Sequence, residues 1–250
     1  MKNPFSLEGE TALVTGGGTG LGLAMARCLK AAGATVAITG RRAEVLQVAA
    51  EEIGVSALPG DVSNLAELPA LWRKVEEMVG SPSILINNAG IHLKKSALDT
   101  TDEEFAAIQL THLQASFALA RLAATSMRAR KAGNIIFISS MAGLFGIPQV
   151  AAYSAAKAGV VGLSRALAAE LSGDGIRVNT IAPGWIETDF NKPVLAADPA
   201  RKEKILKRTP MGRMGSPDDI GWAAVYLCSP AANFLTGVLL PVDGGASIGF

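Results

Sequence analysis

Thr11-Ala12-Leu13-Val14-Thr15-Gly16-Gly17-Gly18-Thr19-Gly20-Leu21-Gly22 is the stretch that decides the fold. Its first five residues form a short apolar run, which predicts a buried strand, and an Ala- and Leu-rich helical stretch follows it as far as Ala32. Glycines between a strand and a helix let the backbone turn tightly and approach a pyrophosphate, whose charge the amides at the helix start can hold. The spacing is G-x-x-x-G-x-G and not the commoner G-x-G-x-x-G. The stretch predicts dinucleotide binding, with a glycine-rich turn that binds no ligand as the alternative.

The second predicted strand, 34–39, ends at Gly40-Arg41-Arg42. In dinucleotide-binding folds an acidic residue near this point binds the ribose 2′-hydroxyl, whereas an Arg suits a 2′-phosphate. The tip carries no acid, and guanidinium groups match the geometry of phosphate. We therefore expect NADP(H) to be favoured over NAD(H). The alternative is that the two arginines are solvated and open a helix.

Short apolar runs and helical stretches alternate along the rest of the chain. Further strands are predicted at 55–59, 83–86, 135–139, 178–182 and 238–242. The longest helices are predicted over Asp102 to Arg130, with Phe105 and Phe117 on its buried side, and over Ala151 to Leu171. This alternation predicts a single α/β domain over 1–250, a Rossmann-type doubly wound parallel sheet with helices on both faces.

Composition and charge limit the class of protein. Hydrophobic residues make up 49% and charged residues 18%, which favours a large core over disorder. The net charge of +1, without long runs of either sign, predicts no nucleic-acid or anionic-membrane partner. Two isolated cysteines and two histidines without partners at metal-ligand spacing predict neither a disulfide framework nor a metal site. The first residues lack the apolar core of a signal peptide, so we expect a cytoplasmic protein.

Polar residues and glycines follow two further predicted strands. Asp61-Val62 comes after the third strand and Asn87-Asn88-Ala89-Gly90 after the fourth. The carboxyl ends of parallel strands are where a ligand crevice is expected. Asp61 is expected either to accept a hydrogen bond from an adenine amino group or to cap the next helix. The pattern loosens after Trp185, and we expect a substrate lid around 185–215.

Tyr153 and Lys157 are four residues apart in the helix predicted from Ala151, so they share a face. A nearby ammonium favours the phenolate and lowers the pKa of a Tyr from about 10 toward the range of an acid/base catalyst. Ser140, at the carboxyl end of a predicted strand, offers a hydroxyl that can hold a substrate oxygen. The three residues predict acid/base catalysis, with a surface Tyr and Lys on an ordinary helix as the alternative.

In their joint order and spacing these motifs resemble the short-chain dehydrogenase/reductase family over nearly the whole chain. The residues that carry the resemblance are Thr15–Gly22, Asp61-Val62, Asn87–Gly90, Ser140, Tyr153 with Lys157, Pro183-Gly184 and Asp243-Gly244-Gly245. The resemblance implies a sheet of seven parallel strands, nicotinamide-dependent interconversion of a secondary alcohol and a ketone, and assembly as a homotetramer.

The resemblance also implies roles for single residues. Tyr153 is then the acid/base that protonates the carbonyl oxygen, Lys157 lowers the pKa of Tyr153 and binds the nicotinamide ribose, and Ser140 orients the substrate. With Arg41 and Arg42 added, the expected cofactor-binding residues are Gly16, Thr19, Gly20, Leu21, Arg41, Arg42, Asp61, Val62, Asn88, Ala89, Gly90, Tyr153, Lys157, Pro183, Gly184, Ile186 and Thr188.

One position departs from the family pattern. In the long helix the family usually carries an Asn that supports a water-linked proton relay to the Lys, and alignment of that helix puts His112 there. A His can donate and accept hydrogen bonds, and it titrates near neutrality. His112 is therefore either a pH-sensitive member of the relay or a replacement with no functional meaning.

The substrate stays open from the sequence. The chain resembles both gluconate-type dehydrogenases and 3-oxoacyl thioester reductases, and a non-catalytic NADP(H)-binding regulator on the same fold is a further alternative. A sugar acid needs a cation near the pocket, where the sequence offers His92, Lys94 and Lys95. A carrier-protein substrate needs a basic surface patch, where it offers Arg128, Arg130 and Lys131.

Overall fold

A computed structural model of the chain describes residues 3–188 and 191–249, with only the backbone of residues 193–194. One seven-stranded parallel sheet runs through these residues in the order β3-β2-β1-β4-β5-β6-β7. The strands are β1 (Thr11–Thr15), β2 (Thr35–Gly40), β3 (Ser56–Pro59), β4 (Ile84–Asn87), β5 (Gly133–Ile138), β6 (Ile176–Pro183) and β7 (Leu239–Val242). The predicted strands are therefore confirmed, with bounds that differ by at most two residues.

Helices cover both faces of this sheet. They are α1 (Gly20–Ala31), α2 (Ala43–Ile53), α3 (Leu68–Val79), α4 (Asp102–Gln109), α5 (Ala115–Arg130), α6 (Ala151–Leu171), α7 (Lys192–Ala196), α8 (Pro199–Arg208) and α9 (Pro217–Cys228). Within the described ranges, no helix combines the length and the apolar character that crossing a bilayer requires.

The strand order creates a crevice at one edge of the sheet. The chain starts at the centre with β1, runs outward through β2 and β3, and returns to β4 on the other side of β1. Val14 lies opposite Ile86 in the register of β1 and β4, so Gly16 and Asn88 emerge level with one another. Ligands of doubly wound sheets bind at such a reversal. The predicted Rossmann-type fold is confirmed.

The core has two halves, one on each face, as a parallel sheet requires. One half joins the sheet to α1, α2 and α9 around Met25, Leu29 and Ile38, all fully buried. The other joins it to α3, α5 and α6 around Leu13 and Phe137, also fully buried. The two halves fix the strands from both sides, so the loops at the carboxyl edge start from rigid positions.

The long helix predicted over 102–130 is interrupted. A capping box between Thr101 and Glu104 starts α4, and a π-helical turn, Leu110–Gln114, separates α4 from α5. Phe105 and Phe117 are 43% and 41% exposed, so their predicted burial is wrong. The apolar stripe of this helix pair is wider than the strip that the sheet and α6 cover, and periodicity alone does not show which part of a stripe meets the core.

The predicted lid, 185–215, leaves the sheet after β6 as an excursion whose two ends are joined by backbone hydrogen bonds. Gly215 N donates to Trp185 O (3.0 Å), and Glu187 N donates to Gly215 O (2.8 Å). The excursion carries α7 and α8, and the Arg208 guanidinium on α8 lies 4.4 Å from the centre of the Phe145 ring in the loop after β5. Residues 189–190 of the predicted lid lie outside the described residues. That the segment acts as a lid stays a prediction.

Candidate active site

A continuous cleft lies along the carboxyl edge of the sheet. It consists of two adjoining cavities of about 330 and 500 Å³, which share Leu21, Asn88, Gly90 and Ile91 as lining residues. The smaller cavity surrounds the glycine-rich turn and the ends of β2 and β3. The larger cavity surrounds Tyr153. A ligand that occupied both cavities would therefore contact the glycine-rich turn and Tyr153.

The glycine-rich turn is shaped for close approach. Gly16 and Gly20 have φ values of +64° and +56°, a left-handed region that favours glycine. A Cβ atom at Gly22 would overlap the carbonyl oxygen of Gly16. Thr19 precedes α1 without forming a side-chain cap, so the first amides of α1 are left for a ligand. This cradle fits the pyrophosphate of a dinucleotide, as the sequence predicts.

Thr15 and Asn88 fasten the turn to β4. Asn88 Nδ2 donates to Thr15 O (2.9 Å) and to Gly16 O (3.3 Å). Thr15 Oγ1 accepts from the backbone amides of Asn88 and Ala89, both at 3.0 Å, and donates to Ile86 O at 3.2 Å. The predicted cofactor residue Asn88 therefore supports the turn from behind. In the sequence, Thr15 carries no signal beyond the strand and the family motif.

The far end of the smaller cavity carries the residues expected at the adenosine. Arg41 and Arg42 line it together with Asp61 and Val62. Asp61 Oδ1 accepts from Ser63 N (2.9 Å) and Ser63 Oγ (2.7 Å). The Ser63 hydroxyl, with help from Arg41, holds the pKa of Asp61 below its usual range. Asp61 thus closes a local turn, and the alternative that it caps a helix is wrong because α3 begins only at Leu68.

Ser140, Tyr153 and Lys157 meet in the larger cavity. Tyr153 lies in the first turn of α6, and Ser140 follows β5 with its Oγ accepting from Ala142 N at 3.1 Å. Burial raises the pKa of Tyr153, and the neighbouring Ser140 hydroxyl opposes the rise. The expectation that Lys157 brings this pKa below its ordinary value is therefore wrong for the ligand-free chain. The phenol stays protonated at neutral pH.

Lys157 is buried behind the Tyr153 ring. Its Nζ donates to Ile138 O at 2.7 Å and lies 5.4 Å from the centre of the ring. Its carbonyl oxygen accepts from Ser139 Oγ at 2.8 Å, so the end of β5 holds both ends of the residue. Burial lowers the pKa of Lys157 to about 7. Lys157 Nζ therefore lies beside the Tyr153 ring, and its hydrogen bond goes to the backbone.

His112 reaches the site from the π-helical turn. The wide turn lets two consecutive residues face the cleft, Thr111 toward the smaller cavity and His112 toward the larger one. The His112 ring is 4% exposed and stands edge-on to Tyr153 with 5.3 Å between ring centres. Its Nε2 lies 2.7 Å from Ile91 O and 3.1 Å from Ile91 N. We assign the proton to Nε2 because the oxygen is nearer.

The electrostatics of His112 differ from the prediction. Burial, with the Lys157 charge as a second cause, lowers the pKa of His112 to about 3. The prediction that it titrates near neutrality is therefore wrong. With the proton on Nε2, Nδ1 is a buried acceptor that has no hydrogen-bond partner in the described part of the chain. Gly90 leaves space for the ring, because a Cβ atom there would overlap His112 Cε1.

The last predicted cofactor residues face Tyr153 from the excursion side. Pro183, Gly184, Ile186 and Thr188 all line the larger cavity. Asn191 fixes two of them, since its Nδ2 donates to Ile186 O (2.7 Å) and its Oδ1 accepts from Thr188 N (2.9 Å). Of the predicted site residues, only Gly20 contributes to the turn without lining the cleft. Sequence reasoning missed Asn191 and Arg201, which line the cleft from a segment without a motif.

Comparison with known proteins places this geometry in a family. The family model described as enoyl-(acyl carrier protein) reductase matches residues 16–247. Galactitol 2-dehydrogenase (L-tagatose-forming) of Cereibacter sphaeroides is 39% identical over 98% of this chain and 97% of its own length. The 2-dehydro-3-deoxy-D-gluconate 5-dehydrogenase of Bacillus subtilis is 38% identical over 98% and 97%. A crystal structure of a gluconate 5-dehydrogenase from Burkholderia cenocepacia, in complex with NADP and tartrate, is 35% identical, with a TM-score of 0.92 over 99% of this chain and 98% of that one.

Proposed function

Since the chain belongs to the short-chain dehydrogenase/reductase family, and is thus an NAD(P)-dependent oxidoreductase that interconverts secondary alcohols and ketones, we propose that it works with NADP(H) and uses Tyr153 as its acid/base. The nicotinamide, when bound, supplies or accepts the hydride. The observation that carries the proposal is the meeting of Ser140, Tyr153 and Lys157 in a cavity continuous with the glycine-rich turn.

Each of the three residues has a distinct task. Tyr153, protonated at neutral pH, donates its proton to the ketone oxygen during reduction. Ser140 holds that oxygen beside the phenol with its hydroxyl. Lys157 stabilises the phenolate left behind, because a buried ammonium behind the ring favours the charged form of its neighbour. In this proposal Lys157 also binds the nicotinamide ribose.

His112 takes the place of the usual relay Asn in this proposal. Its buried Nδ1 is an acceptor on the Lys157 side of the ring, so in this proposal His112 would orient a relay water by accepting a hydrogen bond from it and would itself transfer no proton. Because the pKa of His112 is about 3, the acceptor persists through the working pH range. His112 then acts as a positioning residue that is neutral at all working pH values.

The preference for NADP(H) rests on the arginines at the end of β2. Arg41 and Arg42 line the cavity where a 2′-phosphate would lie, and no acid follows β2 directly. The NADP bound by the Burkholderia gluconate 5-dehydrogenase supports the choice. Asp61 is the one carboxylate among the described lining residues of that cavity, and Ser63 engages it.

Kinetics with both cofactors test the proposal. Arg41→Ala should lower kcat/KM with NADPH by roughly tenfold or more and leave kcat/KM with NADH nearly unchanged, since one charge-assisted hydrogen bond is worth about 1.5–3 kcal/mol. Arg165→Ala is the matched control, because Arg165 is an exposed arginine on α6 outside the cleft. Equal efficiency of the wild type with NADH and NADPH would overturn the preference.

The substrate is proposed to be a small polyhydroxy compound, as the names of the relatives indicate for those proteins. The residues of the basic patch expected for a carrier-protein substrate already bind other groups of the same chain. Arg128 and Lys131 both pair with Asp174 at 2.6 Å, and Arg130 donates to the backbone carbonyls of Ser81 and Pro82. This pairing leaves less charge for an acidic carrier protein. Intact Ser140, Tyr153 and Lys157 argue against a purely regulatory role.

We also propose a cytoplasmic homotetramer. The half-exposed Phe105 and Phe117 rings on α4 and α5 are suited to burial between subunits. The free, buried thiols of Cys28 and Cys228 are typical of a reducing compartment. Light scattering of the purified protein should give four times the 25.8 kDa of one chain, and a monomer mass would contradict the assembly.

A further inference from the structure

The larger cavity carries an excess of positive charge. His92, Lys94 and Arg201 line it, and its described lining includes neither Asp nor Glu. Its other lining residues around Tyr153 are mainly apolar or neutral, among them Met141, Ile147 and Trp185. A cavity lined by cations attracts an anion, and the side chains of Lys94 and Arg201 are exposed to solvent and so accessible to one.

Two neighbouring lysines, Lys94 and Lys95, differ in whether a carboxylate within the described residues pairs with them. Lys95 pairs with Glu104 at 2.8 Å, and the same carboxylate completes the cap of α4. Lys94 and Arg201 have no ion-pair partner among the described residues. Asp198 accepts from the backbone amide of Arg201 as the helix cap, and Glu203 on α8 pairs with Lys207. The cation cluster expected from the sequence thus loses Lys95, which pairs with Glu104, and gains Arg201, which lines the same cavity as Lys94.

Lys94 and Arg201 approach the same point from different elements. Lys94 follows β4, and Arg201 belongs to the first turns of α8 in the excursion. Both charges act on the His92 ring, whose pKa is lowered by burial, by Lys94 and by Arg201, in that order. The His92 ring stands edge-on to Tyr153 with 5.6 Å between ring centres. Lys94 and Arg201 therefore line the same cavity as the Tyr153 phenol and lie near a ring that contacts it.

We propose that Lys94 and Arg201 bind the carboxylate of a polyhydroxy acid whose reacting secondary alcohol, or the corresponding ketone, lies at Tyr153. That the alcohol or ketone reacts at Tyr153 rests on the proposed function. Binding of the carboxylate rests only on the positive charges of Lys94 and Arg201. Guanidinium and ammonium groups recognise carboxylate through charge-assisted hydrogen bonds. A cavity of about 500 Å³ is in the range of small-molecule sites.

The site discriminates among the substrates of the relatives. A neutral alditol would leave two cations in the cavity without a counter-ion, and a 3-oxoacyl thioester carries no negative charge next to its reacting ketone. A sugar acid places its carboxylate on the cations and its hydroxyl chain along the cleft.

Matched pairs of ligands test the proposal directly. D-gluconate and D-glucitol have the same number of carbons and differ in one end group, as do D-galactonate and galactitol. We expect the wild type with NADPH bound to bind each acid at least tenfold more tightly than its alditol in titration calorimetry. Arg201→Met and Lys94→Met should each weaken binding of the acids roughly tenfold and leave binding of the alditols unchanged, as loss of one charged hydrogen bond predicts.

Lys202→Met is the matched control. Lys202 is the next residue on α8 but lines a different cavity, so its loss should not affect binding of either ligand. Equal binding of acid and alditol by the wild type, or equal losses in Arg201→Met and Lys202→Met, would overturn the anion site. Tight, Arg201-dependent binding of acids without turnover would support the site and contradict the proposed catalytic function.

Discussion

A buried neutral His112 should reveal itself in the acid stability of the protein. The ring is 4% exposed, and its pKa is lowered from an ordinary value of 6.5 to about 3, with burial as the main cause. Between these two pH values the unfolded chain binds a proton at this position and the folded chain does not. Above pH 6.5 His112 therefore has no effect on the free energy of unfolding. As the pH falls from 6.5 toward 3, its contribution increasingly destabilises the folded state.

The size of the effect follows from the two pKa values. At pH 5.0 protonation of a free imidazole favours the unfolded chain by about 2 kcal/mol relative to pH 7.5, and the folded state gains nothing in return. His112→Asn removes the titrating group while keeping a side chain that can hydrogen-bond to Ile91. The variant should therefore lose about 2 kcal/mol less than the wild type between these pH values.

Urea unfolding at pH 7.5 and 5.0 measures the difference, with both proteins at one concentration because assembly contributes to stability. Nuclear magnetic resonance supplies a direct check. The chain has two histidines, so His112→Asn assigns both Cε1–H signals at once. The His112 signal should stay in its neutral position down to pH 5. Equal pH dependence of unfolding in the two proteins, or a His112 signal that titrates above pH 5, would refute the assignment.

Two other variants examine the same corner of the cleft. Gly90→Ala should destabilise the wild type by roughly 1–3 kcal/mol through overpacking against His112, and much less in the His112→Asn background, as a double-mutant cycle of unfolding energies would show. Additive losses would show that the clash is relieved elsewhere. Lys157, with a pKa of about 7 in the folded chain against an ordinary 10.5, should make the ligand-free protein about 2 kcal/mol more stable at pH 9 than at pH 7. Lys157→Met should lose this rise, and a rise of unchanged size in the variant would contradict the burial of an ionisable ammonium.

The sequence predicts the fold well because the determining signals are local. Each buried strand is a short apolar run, and the turn after β1 needs glycine at Gly16 and Gly20 for its left-handed backbone. The sequence does not predict the interruption of the long helix, since a π-helical turn leaves no mark in the hydrophobic pattern. Its apolar stripe also contained Phe105 and Phe117, which the described chain does not bury.

Motif spacing predicts which site residues meet, and it predicts their electrostatics less well. Tyr153 and Lys157 share a helix face, yet the burial that raises one pKa and lowers the other depends on β5 and the π-helical turn. Lys95 is paired, whereas Lys94 has no ion-pair partner within 3–188 and 191–249, because the carboxylate of Glu104 on α4 pairs with Lys95. Arg201 joins the cavity from a segment with no motif, so only the folded chain identifies it.

Turnover by Tyr153→Phe tests the central claim most directly, namely that the Tyr153 phenol is the acid/base of an oxidoreductase. The substitution removes one hydroxyl and leaves the ring that His92 and His112 contact edge-on. We predict that kcat for reduction of a polyhydroxy ketone with NADPH falls by roughly 10²–10⁴-fold, the value of general acid/base catalysis, while the affinity for NADPH stays within about threefold of the wild type. A loss of less than tenfold in kcat with intact NADPH binding would contradict the claim, because another group would then be supplying the proton.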